Sequence, residues 1–256
     1  VESAANWNRT SPKGSIASFL QLPTALFTVL SERLADTLNR LQNAANEAQR
    51  PAPTLVAVSK FQPATAVAEL AAAGQRAFGE NYVQEAQAKI AELADARLQW
   101  HLIGHLQSNK AAVAAELFDW VQTVDRPKLV GALAAARPRQ RVPLNVLIQV
   151  NIDDEASKHG CAPVDIPALA ALIALQPSLS LRGLMAIPAP HEDPDLRRAA
   201  FAKMKALFDT LAAAHPGVDT LSMGMSEDCA LAVAEGATMV RVGTALFGNR
   251  DSAKAG

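Results

Sequence analysis

What this sequence has little of narrows its chemistry before any motif is read. Two cysteines, Cys161 and Cys229, stand far apart in 256 residues. They form neither a disulfide framework nor a thiolate metal site, and they point to a reducing compartment. Lys plus Arg (24) and Asp plus Glu (25) nearly cancel, leaving a formal charge of -1. No basic field is therefore available to attract nucleic acid or an anionic membrane, and neither is expected as a partner. No Gly-x-Ser-x-Gly elbow and no nucleophilic cysteine context occur, which removes two common routes to covalent hydrolysis. No Gly-x-Gly-x-x-Gly follows the first apolar strand, which argues against an open dinucleotide-binding sheet. There is one tyrosine, Tyr82.

What is present is enough for a full core, at 50% hydrophobic and 19% charged residues. Residues 15–30 are fairly apolar with Arg9 and Lys13 upstream, which raises a secretory signal. Gln21 and Pro23 interrupt that stretch, no small-x-small cleavage site follows, and Ser31-Glu32-Arg33 leads straight into an amphipathic helix. The stretch is also too short and broken to span a bilayer. Residues 1–30 are thus expected to be a flexible N-terminal extension, residues 31–256 one domain, and the location cytoplasmic.

From Glu32 onward the apolar residues alternate between two periods. Leu34, Leu38, Leu41 and Ala45 recur at helical spacing. Strands are expected at 55–60, 77–81, 99–104, 120–125, 144–150, 179–187, 220–225 and 239–243. Helices fill the intervals at 63–73, 82–94, 108–117, 127–137, 163–175, 194–214 and 228–235. Short apolar strands such as residues 145–150 suit a parallel sheet covered on both faces. Eight βα units in this length close into a barrel, so the expected fold is α/β, a single (β/α)8 TIM barrel with an extra N-terminal helix.

In such a barrel the loops after the strands build the active face, and Lys60 stands at the first of them. It ends the run Leu55-Val56-Ala57-Val58-Ser59-Lys60, where an ammonium among aliphatic neighbours is partly desolvated and its amine becomes a nucleophile toward a carbonyl. The other strand ends contribute Asn81, His105, Asn151 and Met185, then Ser222 to Ser226 and Arg241 to Thr244. The last two loops hold small residues and hydroxyls that let backbone N–H groups approach a phosphate.

Six segments then carry a resemblance. They are Ala57-Val58-Ser59-Lys60, Gly79-Glu80-Asn81-Tyr82-Val83-Gln84-Glu85, residues 101–110 (HLIGHLQSNK), Arg182-Gly183-Leu184-Met185-Ala186-Ile187-Pro188, Ser222-Met223-Gly224-Met225-Ser226-Glu227-Asp228 and residues 240–248. In order and register over residues 30–251, the chain resembles the pyridoxal phosphate homeostasis proteins (YggS/PROSC). That resemblance implies a barrel of the alanine racemase N-terminal type, with pyridoxal 5′-phosphate carried by Lys60 as an aldimine. It implies Arg241 facing the pyridine nitrogen, Ser226, Gly243 and Thr244 holding the phosphate, Ser222 contributing, and Asn81 lining the pocket. Phe61 and Gln62 depart from the Thr-Lys usual after the lysine, which bears on the pocket rim.

An arginine at the ring nitrogen cannot accept a proton, so it disfavours the pyridinium form and weakens carbanion chemistry. The sequence runs only a short way past the eighth strand, and Tyr82 is its sole tyrosine. A monomeric carrier of pyridoxal phosphate, serving pyridoxal-dependent apoenzymes, is therefore expected, with no catalytic residue. The alternatives are an amino-acid racemase using the same aldimine and a sugar-phosphate barrel enzyme with Lys60 bonded to substrate. His101 and His105 have a helical metal spacing but straddle a strand end, and residues 191–195 read as a solvated loop with an N-cap, so no metal site is expected.

Overall fold

A computed structural model describes residues 24–153, 159–189 and 193–248. The part of the expected extension before Thr24 lies outside them, as do Asp154, Glu155, Lys158, His191 and Glu192. The elements run α1 (Thr24–Glu47), β1 (Thr54–Val58), α2 (Ala64–Ala72), β2 (Ala77–Glu80), α3 (Val83–Glu92), β3 (Gln99–Leu102), α4 (Ala111–Leu117), β4 (Trp120–Val124) and α5 (Pro127–Ala136). The second half continues with β5 (Leu144–Gln149), α6 (Ile166–Ala174), β6 (Leu179–Met185), α7 (Pro194–Ala214), β7 (Thr220–Ser222), α8 (Cys229–Ala234), β8 (Met239–Val242) and α9 (Thr244–Phe247).

The strands pair in sequence order, all parallel, and β8 closes onto β1 through Leu55↔Val240 and Val56↔Arg241. The barrel reading holds element by element. Each strand is shorter at its C-terminal end than the apolar pattern suggests, although Ser59 and Met223 just beyond it stay fully buried and still donate to Gly79 and Met239 of the neighbouring strands. Helix α1 begins eight residues before Glu32 and buries Leu30, Leu34, Leu41 and Ala45 against the rest of the core.

Two layers of side chains result. Between strands and helices lie Phe78, Phe118, Phe201, Leu70, Leu102 and Ile148, all fully buried. Inside the barrel Val56, Ala77, Trp120, Leu147, Met185 and Met239 form a smaller apolar cluster. Gly183 lets β6 change register between β5 and β7: its φ is +145°, and a Cβ there would stand 1.9 Å from the Thr220 carbonyl oxygen. Among the described residues no helix is long and apolar enough to cross a membrane.

Candidate functional site

The Lys60 turn is held from both sides. Before it, the Ser59 hydroxyl donates to Glu80 Oε1 at 2.6 Å, and the Ser59 carbonyl accepts from Lys89 Nζ at 2.6 Å. Lys89, extending from α3, also reaches Glu80 at 2.8 Å and Glu85 at 2.7 Å. After it, Glu85 accepts the N–H of Phe61, whose φ of +66° is left-handed. A non-glycine residue there is strained by about 1–2 kcal/mol, so the clamp is what keeps the turn. Burial raises the Glu80 pKa despite its bonds to Lys89 and Ser59. Lys60 itself is half-buried.

The barrel order places this turn between the ends of β2 and β8. On the β2 side Gly104 is forced: a Cβ there would lie 2.3 Å from the Asn81 carbonyl oxygen, so the end of β3 presses on Asn81 only because the side chain is missing. Asn81, Tyr82, His105, Gln107 and Lys110 line a cavity of about 430 Å³, which neither Lys60 nor Arg241 lines. On the β8 side, a Cβ on Gly243 would meet Val58 at 3.4 Å, so Thr244 follows a close contact with the end of β1. The Ser226 loop is anchored twice, by Arg241 N–H to the Gly224 carbonyl at 3.1 Å and by Met225 N–H to Asp228 at 2.6 Å.

Arg241 heads a chain of hydrogen bonds that crosses the barrel interior. Its Nη2 donates to the Ala186 carbonyl at 2.9 Å and its Nη1 to Ser222 Oγ at 2.6 Å. Ser222 Oγ lies 2.7 Å from Gln122 Oε1, Gln122 Nε2 lies 3.0 Å from His101 Nδ1, and His101 Nε2 lies 3.1 Å from Gln99 Oε1. A guanidinium only donates, so Ser222 must accept from it and pass its own proton to Gln122. The Gln122 amide nitrogen then faces His101 Nδ1, which must be an acceptor. His101 is thereby fixed as the neutral Nε2–H tautomer. Complete burial drives its pKa from 6.5 to about 3, which agrees with a ring that receives a proton at Nδ1 from an amide.

The far end of that chain is packed by aromatic and cationic stacking. His101 lies on Trp120, with ring centroids 5.2 Å apart at 10°, and Arg182 lies over the same indole at 4.9 Å. Burial lowers the Arg241 pKa to about 10, with Asp228 opposing the shift. The group stays cationic at neutral pH.

With this geometry the comparisons acquire meaning. A family model described as the alanine racemase N-terminal domain matches residues 31–251. The pyridoxal phosphate homeostasis protein of Pseudomonas aeruginosa is 53% identical over 226 residues, which cover 88% of this chain and 97% of that one. The chain belongs to the pyridoxal phosphate homeostasis protein family. The Escherichia coli protein of that name is 48% identical over 230 residues, covering 88% of this chain and 98% of its own. Among solved structures, PipY of Synechococcus elongatus with PLP bound is 41% identical, with a TM-score of 0.73 over 86% of this chain and 100% of that one. The alanine racemase of Corynebacterium glutamicum, at 17% identity and a TM-score of 0.61, shares the fold, and the match spans 63% of its chain.

The structure sorts the residues that the homeostasis-protein motifs single out. Lys60, Asn81, Ser226 and Gly243 lie on loops that follow strands β1, β2, β7 and β8, and Thr244 opens α9 directly after Gly243. Arg241 and Ser222 lie lower, inside the barrel, where Ser222 is fully buried between Arg241 and Gln122. His101 points into the barrel while His105 is exposed beyond the end of β3, so the two do not share a site. Sequence reasoning misses Gln122, the hub of the chain, and Lys89, the hub of the clamp. Gln122 carries one signal that points to it, a polar residue at the centre of the apolar run Trp120-Val121-Gln122-Thr123-Val124.

Proposed function

We propose that this chain binds pyridoxal 5′-phosphate on Lys60 and serves intracellular pyridoxal phosphate homeostasis as a carrier, in the cytoplasm and as a monomer of one barrel, residues 31–256. The observation that carries the reading is the clamped Lys60 turn, set between the β2 and β8 loops of a barrel whose interior presents one fixed guanidinium. Nearly full-length kinship with proteins named for that role supports it.

The residues fit the cofactor. When bound, it supplies an aldehyde that bonds a primary amine and a ring that withdraws electrons. Lys60 provides the amine, and the Ser59 and Phe61 clamp aims it. Arg241 would meet the cofactor's ring as a donor that cannot take up a proton. Ser222 acts through Arg241 by holding its Nη1, while Asn81 lines the pocket wall. The Leu246 and Phe247 amides of α9 donate to the Gly243 carbonyl, while those of Thr244 and Ala245 precede any helical acceptor; with the Thr244 hydroxyl, Gly243 and Ser226 they would form the phosphate cup. No described side chain here is assigned the second acid/base that racemisation requires.

Tyr82 gives the racemase alternative its one foothold, because it lines the cavity beside Asn81. Its position at the entrance of α3, with its ring 5.7 Å from Phe61, favours a packing role at the rim. The deciding experiment is the visible spectrum of the protein with cofactor, followed by borohydride reduction and peptide mapping. The adduct is expected on Lys60 and absent in Lys60→Ala, which folds normally by circular dichroism. A colourless protein in excess cofactor, or an adduct on Lys89 or Lys110 alone, overturns the reading.

A further inference from the structure

Three donor side chains that the carrier reading leaves unused meet beyond the ends of β3, β4 and β5. They are His105, Asp125 and His159, and one ligand atom from each lies within 4.8 Å of the other two. His105 Nδ1 is 4.0 Å from Asp125 Oδ2. The two imidazoles stack with centroids 3.7 Å apart at 15°. Residues from three separate loops thus bring two imidazoles and one carboxylate to a single point at the barrel mouth.

The carboxylate is already aimed. Asp125 Oδ1 accepts from Arg126 Nη1 at 2.5 Å, and Arg126 is itself fixed by its Nη2 on the Leu106 carbonyl at 2.8 Å. That leaves Oδ2 turned toward the imidazoles, the kind of outer support that orients metal ligands. An unprotonated imidazole offers a ring-nitrogen lone pair to a metal, and binding an ion displaces the proton that competes for it.

The geometry is close to a metal site without yet being one. Imidazole nitrogens and carboxylate oxygens bind zinc at about 2.0–2.2 Å, so ligands around one ion stand roughly 3–3.5 Å apart. Closing from the present spacing needs shifts of about an ångström and a turn of the rings, whose lone pairs run parallel while they stack. Both His105 and His159 are exposed, and the terminal torsion of histidine is soft. Stacking alone would explain the two rings, but it does not explain an oriented carboxylate beside them.

We infer that His105, Asp125 and His159 form a binding site for a divalent transition metal of the zinc, cobalt or nickel class, with its remaining positions open to solvent. Two imidazoles and one carboxylate favour these ions over calcium or magnesium, which prefer oxygen. Because His105 also lines the cavity beside Asn81, an ion held there ties the β3, β4 and β5 loops together at one side of the mouth. The site does not depend on Lys60 or on the cofactor reading.

The test is titration of the tag-free full-length chain with Co²⁺, read by its d–d absorption, and with Zn²⁺ by calorimetry. One ion per chain is expected, with affinity falling about tenfold or more in His105→Gln and in His159→Gln and unchanged in His215→Gln. Lys60→Ala is run in parallel, since a lysine-bound cofactor can itself chelate metals, and it should bind the ion as the parent does. Absence of a cobalt spectrum at about millimolar ion, binding that survives both histidine substitutions, or binding that disappears with Lys60→Ala overturns the assignment.

Discussion

Acid should destabilise the whole fold through His101, whose ring stays neutral inside the barrel while it protonates in the unfolded chain. The folded ring titrates near 3 because it is fully buried, while in the unfolded chain it titrates near 6.5. The unfolded state therefore binds the proton first, so stability is intact above about pH 6.5 and falls as pH drops toward 3. Integrating that difference gives a loss of about 2 kcal/mol by pH ~5 and about 5 kcal/mol in full. The hydrogen-bond chain explains why the ring resists. A proton on Nδ1 would face the Gln122 amide nitrogen at 3.0 Å, and flipping that amide would take from the Ser222 hydroxyl the acceptor to which it now donates. The assay is urea unfolding of the cofactor-free protein from about pH 7.5 to 4.5, comparing the parent with His101→Asn. Asparagine offers an acceptor near the Nδ1 position and does not titrate in this window. The variant should be less stable at neutral pH, having lost the Trp120 stack, yet its stability should fall less steeply with acid, by up to ~1.4 kcal/mol per pH unit. Parallel pH profiles for the two proteins would refute the buried neutral tautomer and the polarity of the chain with it.

Lys89→Met leaves the buried Glu80 and the Ser59 carbonyl without their donor and is expected to cost about 3–5 kcal/mol in urea unfolding; adding Glu80→Gln should recover part of it, and no recovery would mean that the pair is not coupled. Pyridoxal lacking the phosphate should bind much more weakly than pyridoxal phosphate in a fluorescence titration, since each missing charge-assisted hydrogen bond is worth about 1.5–3 kcal/mol; equal affinities would displace the cup from Ser226, Gly243 and Thr244. Alanine in deuterated water should show negligible α-proton exchange by NMR, because the second acid/base is worth ~100- to 10,000-fold; rapid exchange that requires Lys60 would promote the racemase alternative.

The legible parts of this molecule are those where local pattern and position coincide. An apolar run ending abruptly in Ser59-Lys60 marks both a strand and its mouth-facing end. Gly243-Thr244 and Ser222-Met223-Gly224-Met225-Ser226 mark the last two loops in the same way. Strand ends are overestimated because burial continues past the regular strand, as at Ser59, which is fully buried and donates to Gly79 one residue beyond β1. The start of α1 is missed because the amphipathic pattern becomes clear only from Glu32, while the helix already begins at Thr24. Lys89 is invisible for a different reason: on α3 it reads as a solvated cation, and only the tertiary fold shows its long side chain turned inward to Glu80. His105 and His159 are 54 positions apart, and His101, Gln122, Ser222 and Arg241 are spread over 140 positions. No spacing rule reaches across such intervals, and only barrel closure brings them together.

The same closure explains how an arginine is tolerated inside the barrel and why it suits a ligand. Arg241 is 4% exposed and gives one donor to Ser222 and one to Ala186, while a guanidinium has five. Its pKa of about 10 against a usual 12.5 records charge that burial has left incompletely compensated, on the order of 3 kcal/mol. If the proposed cofactor's ring nitrogen meets Arg241, its lone pair adds an acceptor to a guanidinium that now donates to Ser222 and Ala186. Ligand and stability are then linked, because whatever binds only the folded barrel raises its unfolding midpoint in proportion to the logarithm of concentration. Arg241→Gln removes the charge and so removes the deficit. The free protein should lose little stability if the amide reaches Ser222, while the extra stability gained on adding cofactor should shrink. A substitution that weakened the free and the loaded protein equally would show that Arg241 serves the barrel and not the ligand.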